Sequence, residues 1–165
     1  MSTTTQGGTT FNSPLEAGIR AVGTLVAAYP TTFDLYQLVA FDYLVVHTGD
    51  VGGPDSLHPR IPLRSAELLV RRKLVEKGLM LMMCRGLVAR QISEEGIFYQ
   101  AGEMAEIFMS SLTAPYLQGL RDRSEWVVER LGHLSSLQLK EFIGQFFNQW
   151  VEEFQSTQRN LGLEP

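Results

Sequence analysis

The chain has 165 residues, 44% of them hydrophobic and 19% charged, with a formal net charge of −4 and one cysteine. That suits one globular domain with a single core and excludes a disordered chain. It also excludes an internal disulfide and a multi-cysteine zinc site. The charge is uneven. Residues 60–90 carry eight basic residues against two acidic ones, so the segment is +6 and the remainder −10. A basic island on an acidic chain points to phosphate or to an acidic partner, or to an ordinary solvated helix face.

No apolar run approaches the ~20 residues that span a bilayer, so no membrane contact is expected. The start, MSTTTQGGTTFNS, lacks the basic and apolar regions of a secretory signal. Residues 1–10 read as a disordered tail, and the reducing cytoplasm is the expected compartment. The first helix opens at Ser13-Pro14-Leu15-Glu16, a capping box with proline at the first helical position. Leu15, Ile19, Val22, Val26 and Tyr29 continue at helical spacing until Pro30. A second helix is expected from near Thr32, with Asp34 in its first turn. Its apolar residues make it central, and Asp42 then needs a buried partner. Gly49 is the expected left-handed cap that stops it near Thr48.

Residues 47–59 follow, with two histidines, three glycines, two prolines and two aspartates in thirteen residues. His47, Asp50, Asp55 and His58 have no recognised ligand spacing. The glycines and prolines shape backbone. A histidine at a helix C-terminus also interacts well with the helix dipole. The segment reads as a rigid surface loop, with His47, Asp50, Gly52, Gly53, Pro54 and His58 as candidate partner-docking residues and no metal ligand among them. A third helix is expected from after Pro62 toward Arg85, with Leu68, Val75, Leu79, Met82 and Met83 on its apolar face and Gly86 at its end. Gly78 weakens its middle by ~1 kcal/mol relative to alanine. Arg64, Arg71, Arg72, Lys73 and Lys77 are candidate contacts to phosphate or to an acidic partner. Cys84 ends an apolar run and reads as a small inert hydrophobe.

Two short β-prone runs, 87–92 and 97–100, flank the Ser93-Glu94-Glu95-Gly96 turn and read as a hairpin. Helices are expected from about Glu103 to Leu112 and from Pro115 to Gly132. Ser135-Ser136-Leu137-Gln138 is a second capping box, opening a helix from about Ser136 to Gln155. That last helix carries an aromatic stripe. The stripe suits a core, or an interface in which Phe142, Phe146 and Trp150 meet another subunit. The fold class is therefore mainly α with minor β. A winged-helix-like part with one hairpin (11–102) is followed by a helical extension packed on it (103–165), a single domain overall. The long link between helices two and three departs from the short turn of a DNA-reading helix-turn-helix. No nucleophile elbow, phosphate loop or dinucleotide-binding glycine pattern is present, so neither catalytic residues nor a cofactor are assigned.

Several segments together resemble a known family. They are Asn12-Ser13-Pro14-Leu15-Glu16-Ala17-Gly18, the run Phe41-Asp42-Tyr43-Leu44-Val45-Val46-His47-Thr48-Gly49-Asp50, Gly52-Gly53-Pro54, Ser56-Leu57-His58-Pro59, Glu67-Leu68-Leu69-Val70-Arg71-Arg72 and Trp126-Val127-Val128-Glu129-Arg130. Over about residues 11–155 the chain resembles the middle component of bacterial ABC-type three-component systems, which are similar to Lamassu-type anti-phage defence. The resemblance implies a non-catalytic adaptor that binds a chromosome-maintenance-like (SMC-like) ATPase and an effector such as a nuclease. Nonspecific DNA contact is compatible with it. The ATP site would lie on the partner. The competing reading from the residues is a free-standing winged-helix DNA-binding regulator, with the hairpin as its wing.

Overall fold

A computed structural model describes residues 13–59, 65–146 and 148. The expected N-terminal tail, Arg64 and Trp150 lie outside the described residues. The fold is mainly helical with one antiparallel hairpin, the fold class expected from the sequence.

Helix α1 (Pro14–Ala28) opens as expected: Ser13 accepts a hydrogen bond from the Glu16 backbone N–H at 3.2 Å, with proline in the first turn. It packs on four other helices and on the hairpin, so it is as central as the second helix. Two residues assigned to its apolar face by spacing, Leu15 and Tyr29, are instead 52% and 64% exposed.

Helix α2 (Leu35–Val46) begins later than expected, because Asp34 caps the helix instead of entering it. Asp34 accepts from the Gln37 N–H at 2.8 Å, and Gln37 Oε1 accepts from the Asp34 N–H at 2.9 Å. Every residue from Gln37 to Val46 is buried. The chain then turns through a short 3-10 segment (Thr48–Val51). The left-handed residue is Gly52, with φ 77°, and not Gly49. Gly49 is small for another reason: a Cβ there would stand 2.9 Å from Ser56 Oγ.

Helix α3 (Ser65–Met83) buries Arg71, Val75, Leu79 and Met82 along one stripe. It crosses α1 at a glycine pair. A Cβ on Gly78 would stand 2.5 Å from the Gly18 nitrogen and 2.7 Å from the Pro14 carbonyl oxygen. Gly86, φ 71°, ends the helix region as expected. Strands β1 (Val88–Ser93) and β2 (Gly96–Ala101) pair with Arg90 opposite Tyr99. Phe33 adds an antiparallel bridge to Tyr99 through backbone bonds of 3.0 and 2.8 Å. The hairpin is thereby tied to the link before α2, a contact no local pattern announces.

Helices α4 (Ala105–Ser111) and α5 (Pro115–Leu131) close the bundle. A further helix, α6, covers 136–146 among the described residues. Its capping box forms reciprocally between Ser135 and Gln138, at 2.9 and 3.1 Å. Leu139 and Ile143 are buried, and Phe142 and Phe146 are half-buried against the core.

The glycine crossing yields a paired prediction. Gly78→Ala should lower stability by about 2 kcal/mol, because overpacking against backbone outweighs the gain of ~1 kcal/mol in helix propensity. Gly144→Ala on α6 meets nothing within 4 Å and should be neutral or stabilising. Urea denaturation of the two variants checks both signs.

Candidate functional site

Charged and aromatic side chains from four helices meet in the middle of the molecule. Asp42 on α2 accepts from two guanidiniums. Arg20 Nε on α1 lies 2.7 Å from Oδ1, and Arg71 Nη1 on α3 lies 2.7 Å from Oδ2. All three side chains are no more than 3% exposed. Burial opposes the Arg20 charge, but Asp42 outweighs it and raises the Arg20 pKa. The Arg71 guanidinium also stands 5.2 Å over the Tyr43 ring, and half-buried Glu67 approaches its Nε at 3.9 Å.

The two histidines of the 47–59 loop face this cluster. His47 stacks on Tyr43 with ring centroids 4.4 Å apart and meets the His58 ring edge-on at 6.1 Å. His58 Nε2 lies 2.7 Å from the Tyr116 hydroxyl of α5. Among the described residues, neither ring nitrogen of His47 has a hydrogen-bond partner. Burial, and then the positive charge of Arg71, lowers the His47 pKa to about 3. Burial, and then Arg20, lowers that of His58 to about 4. Both are neutral imidazoles near neutral pH.

These positions correct three expectations. His47 and His58 are internal, 0% and 9% exposed, so neither presents its ring on the surface. A neutral His47 does not use its charge on the helix dipole. Arg71 is 3% exposed and spent on Asp42, so it is not a surface cation. For Arg71 the reason is that a buried carboxylate left unsatisfied is costlier than the desolvation of the guanidinium that partners it.

The rest of the loop is fastened to α5. Arg123 donates to the Asp55 carbonyl at 2.8 and 2.9 Å, and Gly53 abuts Trp126 so closely that a Cβ would stand 2.6 Å from its ring. Asp50 is half-buried and accepts from the Tyr43 hydroxyl at 3.3 Å. The Pro54 carbonyl accepts from Thr48 Oγ1 at 2.7 Å. Gly52 and Pro54 are exposed. Among the described residues, no three histidine, cysteine, aspartate or glutamate side chains are grouped as a metal ion requires.

The outer face of α3 has a different character. Arg72, Lys73, Lys77 and Arg85 are exposed, and Arg72 pairs with Glu76 at 3.3 Å. Among them stand Leu69, Val70 and Met80, 65%, 58% and 57% exposed. Cys84, at the end of its apolar run, is exposed as well. Ile92 and Ile97 on the hairpin are also exposed. Local spacing overlooked Arg20, which lies between Gly18 and Val22 on a helix with few polar residues. That isolation was a usable signal. Tyr43 and Tyr116 gave none.

Residues 10–153 match the family described as ABC-three component (ABC-3C) system Middle Component 2, and the chain belongs to it. No curated protein and no solved structure matches the chain.

Asp42→Asn removes the carboxylate that two buried guanidiniums share and should cost about 3–5 kcal/mol. The combined Arg20→Met, Asp42→Leu, Arg71→Met variant should lose less than that single change; thermal unfolding decides the order. The histidines set an acid limb. Their folded pKa values lie below the unfolded value near 6.5, so the unfolded chain binds more protons as pH falls. The stability they contribute is complete above pH ~6.5. It falls toward pH ~4 by up to about 1.4 kcal/mol per pH unit for each histidine. His47→Phe should flatten that slope in urea titrations run from pH 7 to pH 4.

Proposed function

We propose that this Middle Component 2 chain is a non-catalytic adaptor subunit without a cofactor of its own. It binds an SMC-like ATPase component and an effector such as a nuclease, in a cytoplasmic, Lamassu-like anti-phage system. Family membership supports partner components in general terms. The observation that carries the reading is the outer face of α3 with the adjoining hairpin, where apolar side chains and cations alternate on a surface backed by a rigid core.

A protein partner satisfies both kinds of residue at once. Leu69, Val70 and Met80 bury apolar area at roughly 25 cal/mol per Å², while the cations select an acidic surface and steer its approach. The ionic cluster supports a scaffold role for the interior: its charges are engaged with one another beneath the surface.

The regulator reading keeps one observation in its favour. Three helices followed by a hairpin form a winged-helix-like order, and the α3 cations lie beside that hairpin. Duplex DNA would engage Arg72, Lys73 and Lys77 but leave the exposed aliphatic side chains in water, and Arg71 is withdrawn from the surface.

Co-expression with the two companion components of the system, followed by affinity capture, tests the adaptor reading. The expected result is a stable complex containing the ATPase component. The isolated chain should show no sequence-selective duplex binding at ~150 mM salt, where weak phosphate contacts fade. A chain that captures neither component, or that selects a DNA sequence, contradicts the reading.

A further inference from the structure

We propose that the cleft between the N-terminal ends of α2 and α3 and the hairpin seats an acidic amphipathic helix of a partner component. The proposal rests on the adaptor reading and gives it a location. The cleft has a volume of about 670 Å³, and its lining includes Tyr36, Val39, Leu68, Leu69, Ile97 and Tyr99. Leu69 and Ile97 are 65% and 47% exposed within it. Apolar side chains line most of it, with Asp34 and Arg72 as its charged residues. It is concave, which suits insertion of one or two bulky side chains from a helix laid across it.

Charge decides the occupant. From Leu69 the helical row continues to Lys73 and Lys77 one and two turns on, both exposed. Neither forms an ion pair among the described residues. The exposed charged residues that follow on α3 are Arg72, Lys73 and Lys77 against Glu76 alone, with Arg85 just past its end. An incoming helix whose apolar anchors enter the cleft must therefore set its flanking residues against a basic row, and Asp or Glu at the i+3 and i+4 positions satisfies it. A second copy of this chain docking through the same face would set cations against cations. A nucleic-acid backbone would meet the lysines but leave the apolar cleft unfilled.

A photoreactive benzoylphenylalanine in place of Ile97, in the chain co-expressed with its companion components, tests this directly. Irradiation should join it to one helical peptide of a companion, with acidic residues three or four positions from an aliphatic or aromatic anchor. Leu69→Asp and the Lys73→Glu, Lys77→Glu pair should each reduce capture of that component by about tenfold or more. Lysines in place of the peptide's acidic residues should restore capture by the charge-reversed pair. Gln118→Glu, exposed on α5, a helix that lines no part of the cleft, should leave capture unchanged. If the unmodified chain captures its companions but the cross-link falls on another surface, on a second copy or on a non-acidic segment, the cleft assignment is overturned and the adaptor reading stands. Full capture by the charge-reversed pair has the same consequence. If the unmodified chain captures no companion, both fall together.

Discussion

The carboxylate of Asp42 is shared by Arg20 and Arg71, and this constraint fixes how three helices sit together. Each charge comes from a different helix, so a rotation or slide of any one of them breaks an ion pair inside the core. A buried ion pair is weak evidence of net stability, since its desolvation cost rivals its attraction. Its leverage is on arrangement: only one registry of α1, α2 and α3 leaves all three charges satisfied. The Gly18–Gly78 crossing belongs to the same design. It brings the α1 and α3 backbones close enough for arginines on both to reach one carboxylate.

The loop between α2 and α3 follows from that cluster. Its histidines resemble chemistry in the sequence, yet both are held neutral inside, stacked or hydrogen-bonded against Tyr43 and Tyr116. Arg123 and Trp126 of α5 hold the outer part. The segment thus buttresses the core through α5. The interior is committed to registry, and the surface with unspent apolar and basic groups is the outer face of α3.

Much of the fold was legible because its signals are local. The Ser135–Gln138 box, the Gly96 turn and the Gly86 stop each work within a few residues, and each forms. The site was less legible because its logic is long-range. Arg71 and Arg72 are neighbours with opposite fates. Only the helical row of Arg71 through Val75 and Leu79 distinguishes them, and that row identifies a buried residue without naming its partner. Asp42 announced the need for a partner but not Arg20, twenty-two residues earlier. Gly49 and Gly52 could each have supplied the left-handed turn. The choice depends on the return of the chain to Thr48, where the Gly53 N–H and the Pro54 carbonyl both bond. The segments that carry the family resemblance include Asp42 and Arg71 but not Arg20.

The molecule thus divides into a closed interior, apolar around one ionic cluster, and an open mixed face. Hydrogen–deuterium exchange, comparing the free chain with the assembled three-component complex, tests that division most directly. New protection is expected along the exposed positions from 69 to the end of α3 and along the hairpin, with residues 47–58 already protected in the free chain and unchanged on assembly. New protection confined to 47–58, with α3 and the hairpin unaltered, would contradict it.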